Sequence, residues 1–110
     1  MLDDTIKKIE NKIKSASLIK PQKREDLLKL ISVLKTEITE LSKTNHEEAQ
    51  SIASFTEITA HETTKGEKNP RLVELSLQGL SSSVEGFETS HPKLSEIVNT
   101  IAELLSNIGI

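Results

Sequence analysis

At 110 residues, with 35% hydrophobic and 28% charged residues, the chain is long enough for one small domain and is not compositionally disordered. Its two phenylalanines are the only aromatics, so an elongated aliphatic core or an oligomer is expected rather than a compact monomer built on large rings. The absence of cysteine excludes disulfides and thiolate chemistry, and a net charge of −3 argues against nucleic acid as the main partner.

That charge is unevenly spread: residues 1–43 sum to +3 and residues 44–110 to −6. The two parts therefore attract when folded together. The opening "MLDDTIKKIENKIK" is too acidic and too interrupted for a signal peptide. No apolar run approaches the ~20 residues of a membrane span. A cytoplasmic location is expected.

In chain order, Leu2, Ile6, Ile9, Ile13 and Ala16 recur at alternating intervals of four and three, which predicts a short amphipathic helix over 1–17. Its lysines and those that follow, at 7, 8, 12, 14, 20 and 23, alternate with Asp3, Asp4 and Glu10. A membrane-surface or nucleic-acid contact through this basic helix is the third-ranked functional reading, since no aromatics are present to stack on bases.

Pro21 suits the first turn of a second helix, where its missing N–H would be unpaired in any case. Leu27, Ile31, Leu34, Ile38 and Leu41 carry the same spacing onward. Its phase persists through "KTNHEE" to Ile52, Phe55, Thr59 and Glu62, which favours one long helix over 21–64. The competing reading is a break with Asn45 as N-cap of a separate helix.

"TTKGEKNP" is the clearest punctuation: Gly66 suits a left-handed C-cap, Asn69 an N-cap and Pro70 the first helical position, with 65–69 as an antiparallel turn. Val73, Leu77, Leu80, Val84 and Phe87 then stay in phase with Leu94, Val98, Ile101, Leu105 and Ile108 across His91. This predicts a helix over 70–108, kinked near Pro92 or capped by Ser90 or His91 at 90–92, with Gly109 as its terminator.

The predicted fold class is therefore all-α. The architecture is an antiparallel coiled-coil hairpin of two rods, each ~60 Å long, plus the short N-terminal helix, making a helical bundle. Folding about the turn pairs Phe55 with Leu80, Leu41 with Leu94, and Leu27 with Ile108. The same register sets Asn45 against His91 as a buried polar layer that would fix register and oligomeric state. The stretch 46–64 with 70–87 would be a bare two-helix arm, so a homodimer or higher oligomer is expected. Gly79 and Gly86, on one face of a helix with Ser82 and Ser83 nearby, suggest a close-packing surface for a neighbouring helix or subunit.

No catalytic residue, cofactor or metal site is predicted. Only Glu88 and His91 have the Glu-x-x-His spacing of carboxylate-bridged metal bundles, and Glu57 with His61 reads as a surface pair. A metal-binding or enzymatic bundle around His91, Glu88 and Asn45 is the alternative to the leading reading, a non-catalytic protein that works through contacts with an unknown protein partner.

The stretch "GFETSHPKLSEIVNTIAELLSNIGI" resembles a bacterial family, domain of unknown function 4404, whose members end in F-E-A-S-H-P, a leucine-rich helix and L-x-N-[MIL]-G-I. Phe87, Glu88, Ser90, His91, Pro92, Leu94, Leu105, Asn107, Gly109 and Ile110 match, while Thr89 departs from the usual alanine. "AQSIASFTEITAHETT" extends the resemblance back to about residue 50. The resemblance implies a bacterial protein and brings no activity, ligand or partner.

Overall fold

The computed structural model describes residues 1–109. They form five helices: α1 (Leu2–Ser15), α2 (Pro21–Ser42), α3 (His46–Thr64), α4 (Pro70–Ser83) and α5 (Pro92–Gly109). No strand occurs among the described residues. The two expected rods are therefore absent: the molecule measures 37 × 25 × 22 Å, and its longest helix, α2, has 22 residues.

Each expected rod is instead folded in half. The first breaks at 43–45, where Asn45 N donates to Leu41 O (2.8 Å) and Asn45 O accepts from Ala49 N (3.0 Å) to begin α3. Asn45 holds the N-cap position, but its side chain makes no capping hydrogen bond. The second rod breaks at 84–91, and Pro92 opens a fresh helix rather than kinking one. The seven-residue phase survives both breaks because every helix turns its apolar stripe to the same core, whichever way the chain runs.

The helices run up and down. Thr5 meets Gln50 and Lys12 meets His61, so α1 is parallel to α3. Thr59 Oγ1 donates to Ser76 O (3.1 Å), and a side chain at Gly79 would run into Phe55, so α4 is antiparallel to α3 in the register expected from the 65–69 turn. Gly109 at the end of α5 lies against Thr63, and Lys68 Nζ donates to Ile108 O (3.3 Å).

α3 touches all four other helices, whereas α1 meets neither α4 nor α5, and α2 does not meet α4, among the described residues. Its composition explains this. Ala49, Ala53, Ala60, Thr56, Thr59 and Thr63 are all buried and small enough to let several neighbours approach. The three threonines satisfy their hydroxyls on main-chain carbonyls four residues back, at Ile52, Phe55 and Thr59. Larger aliphatics from outside complete the core: Ile6, Ile9 and Ile13 from α1, Leu27 to Leu41 from α2, Leu80 from α4, and Leu94 to Leu105 from α5.

Local signals explain the ends. α1 stops at Ser15, short of the expected 17, and Ala16 is extended. Arg24 of α2 reaches back to it, donating through Nη2 to Ala16 O (2.7 Å) and Ile19 O (3.0 Å) and through Nε to Ile13 O (3.3 Å). At the start of α4, Asn69 Oδ1 accepts from Arg71 N (3.0 Å) and Leu72 N (3.3 Å), with Pro70 at the first helical position. Gly66 is not the expected left-handed cap: α3 ends on Lys65 in an extended conformation, and the glycine with positive φ is Gly86 (92°). No described helix is long and apolar enough to cross a membrane.

Candidate interaction surface

No hydrogen bond joins Asn45 to His91, the pair expected as a polar layer inside the core. Asn45 and His91 lie in the two interhelical breaks, half-buried. Asn45 Nδ2 donates to Thr44 Oγ1 (3.2 Å), while His91 Nδ1 is 3.1 Å from Ser90 Oγ and its ring stands edge-on to Phe87 at 5.8 Å. Each side chain is met by its sequence neighbour. The physical reason is the folding-back itself: positions that an unbroken rod would bury are spent on reversing the chain.

The 84–91 segment is ordered by its own contacts. Gly86 takes its left-handed turn and donates its N–H to Glu88 Oε2 (2.9 Å). His91 N donates to Phe87 O (2.7 Å), and His91 O accepts from Ser95 N (3.2 Å), so His91 stands directly before the first turn of α5. Ser90, His91 and Pro92 thus start a helix. Gly86 is a turn residue and takes no part in the close-packing face expected with Gly79.

Gly79 does lie at a close approach, though to its own chain. A Cβ there would stand 2.6 Å from Phe55 Cδ1 and 3.3 Å from Phe55 Cζ. The Phe55 ring therefore packs over Gly79 between α3 and α4 and remains 36% exposed. In the same register Ile58 (47% exposed) lies level with Leu75 (43%), and Leu72 (40%) follows one turn along α4.

These four side chains form an apolar strip down the outer face of the α3–α4 pair. Two ion pairs flank it, Lys65 Nζ at 2.7 Å from Glu62 Oε1 and Arg71 Nη1 at 3.6 Å from Glu74 Oε1, and Ile58 also borders Lys12, Glu57 and His61. Sequence spacing assigned Phe55 to the buried seam and passed over Ile58, Leu72 and Leu75. The available signal was in α4, where "RLVELSLQGL" places Leu72, Leu75 and Gly79 on a face distinct from that of Val73, Leu77 and Leu80.

Next to Ile58 a polar depression follows the α1–α3 seam, lined by Lys8, Asn11, Lys12, Ser15 and Glu57. Lys12 Nζ donates to His61 Nδ1 (3.1 Å), because an ammonium has no lone pair with which to accept. Lys8 and Lys12 thus share their surroundings with Glu57 instead of forming an uninterrupted basic stripe. No group of three or more His, Asp or Glu side chains able to hold a metal occurs among the described residues.

The profile of a family described as "Domain of unknown function (DUF4404)" matches residues 34–110. The match takes in the end of α2 and everything after it. Within it, Leu94 and Leu105 are core residues, and Gly109 sits where a Cβ would be 3.0 Å from Thr63 Cγ2 and 3.3 Å from Val73 Cγ1. Ile110 lies outside the described residues. No curated protein and no solved structure matches the chain.

Proposed function

The chain belongs to the DUF4404 family, and from that premise we propose that it works by protein–protein contact, as an adaptor, assembly factor or regulator, and not as a catalyst. The observation that carries this reading is the strip of Phe55, Ile58, Leu72 and Leu75 on the α3–α4 face. Scattered surface leucines need no explanation, but four large apolar side chains in one strip have the composition of a contact surface. The polar features favour it too. Asn45, Ser90, His91 and Glu88 hydrogen-bond within the two chain reversals, as a structural role for them expects. Action in the cytoplasm of a bacterium is part of the proposal.

A photo-crosslinking residue placed at Ile58 tests it in the native host, with one at exposed Thr36 on α2 as control. The reading expects protein adducts from position 58 well above those from position 36. Equal yields from both, or none from position 58, would contradict it.

A further inference from the structure

We propose that the end of the bundle carrying the 16–20 and 65–69 turns docks on an anionic phospholipid surface, with Leu18 entering the headgroup layer and the lysines around it meeting phosphates. This is a different surface from the α3–α4 face, and it stands or falls separately from the contact reading.

The up-and-down arrangement sorts the charges by end. The turn end gathers residues 12–26 and 61–74, with eight Lys/Arg against five Asp/Glu. The opposite end gathers residues 1–7, 37–48 and 85–96, with three against nine. α2 runs from the first end to the second, and its 22 residues span ~33 Å. That is about four Debye lengths at physiological salt, so the acidic end does not cancel the field of the basic one.

Helix chemistry accounts for only one of the two ends. Asp3 and Asp4 of α1 and Glu47 and Glu48 of α3 lie in first turns, where the helix dipole favours acids. α2 and α4 begin at the basic end and have no acid in their first turns. Lys20 holds the N-cap of α2 and Lys23 lies in its first turn, both against the dipole. Both are exposed, and neither has an ion-pair partner among the described residues. The two arginines of this end are already engaged, Arg24 on main-chain carbonyls and Arg71 beside Glu74. A lysine is a point charge on a flexible stem, which suits a fluid array of phosphates, whereas arginine's planar fork suits a fixed partner.

Leu18 selects the kind of anionic surface. It is 59% exposed, while Ile19 beside it is buried. The Arg24 bonds to Ala16 O and Ile19 O clamp the turn on both sides, so Leu18 is displayed by a fixed loop. Lys12, His61 and Lys65 line the same depression. An apolar side chain standing among lysines has no counterpart on a nucleic-acid backbone, and no aromatic lies here to stack on bases. At a bilayer, apolar burial and attraction to anionic headgroups act together. Exposed Glu25 and Glu67 lie at the same end, so the attachment is weak and salt-sensitive.

Co-sedimentation of the full chain with vesicles tests this, comparing phosphatidylglycerol–phosphatidylcholine mixtures with pure phosphatidylcholine. Binding is expected to the mixed vesicles only, and it should fall as salt rises. Each lysine near such a surface contributes about fivefold, so the pair Lys20→Gln and Lys23→Gln should weaken binding by about tenfold or more. Leu18→Ser should weaken it at least about fivefold, and Lys93→Gln at the far end should leave it unchanged. Circular dichroism should show the same helix content in every variant. The chain has no tryptophan, so Leu18→Trp adds a single reporter whose emission should shift to the blue on the mixed vesicles.

No binding to the mixed vesicles, equal binding to both kinds, wild-type binding by Leu18→Ser, or an unshifted Leu18→Trp emission would overturn the inference. Binding to soluble polyglutamate or duplex DNA as tight as to the vesicles at the same salt would overturn it too, marking the lysines as a contact for an acidic protein or for any polyanion.

Discussion

Arg24 joins three main-chain carbonyls that α1 leaves behind when it stops: those of Ile13, Ala16 and Ile19. The last carbonyls of any helix lack intrahelical partners, and a guanidinium with five donors can serve several at once. Arg24→Met should keep the aliphatic packing and lose these bonds, costing about 1.5–3 kcal/mol in chemical denaturation, the range for hydrogen bonds to a charged group. Arg24→Lys, a point charge in place of a planar fork, should recover only part of this. A wild-type midpoint in Arg24→Met would show that water serves those carbonyls equally well. Asn45 and His91 make the opposite case. Each bonds to its own neighbour, so a double-mutant cycle with leucine at both positions should give a coupling below about 0.5 kcal/mol. A larger coupling would restore the buried layer that the spacing suggested.

At the level of the helices, the glycines separate turn chemistry from simple tolerance. Gly86, at φ 92°, should resist a side chain: Gly86→Ala is expected to destabilise by about 1 kcal/mol. Gly66 has negative φ, and nothing lies within 4 Å of where its Cβ would stand. Gly66→Ala should therefore be neutral or stabilise by about 0.4–1 kcal/mol through the unfolded chain. Thermal unfolding of the two variants decides both, and a reversed order would contradict the assignment of the turns. The helices themselves were largely legible. Pro21, Asn69 and Pro70 start helices where their backbone preferences place them, and the stripes through Leu27–Leu41 and Leu94–Leu105 are buried as spaced. The two reversals were not. Periodicity reports which side of a helix meets the core, and a chain that doubles back still turns that side inward, so an unbroken phase across "KTNHEE" carried no information about continuity. Gly86 was misplaced for the same reason, since in-phase apolar residues flank it on both sides.

For the molecule as a whole, the consequence of folding each rod in half is that α3 moves from an outer arm to the centre. The bare arm that first suggested an oligomer is covered by α1 and α5, and what remains open is one face of α3–α4. The alanines and threonines of α3 signalled this in the sequence, because a helix of small residues buries well only among several close neighbours. Enlarging one should therefore be felt: Ala53→Leu, at a fully buried position, is expected to cost about 1–3 kcal/mol through overpacking, whereas a thin outer arm would absorb it. Native-state amide hydrogen exchange tests the central place of α3 most directly. The amides of Thr56, Thr59 and Ala60 should exchange only through global unfolding, as slowly as those of Leu34 and Ile101. Exchange of α3 through a lower-energy local opening, with α2 and α5 still protected, would contradict it.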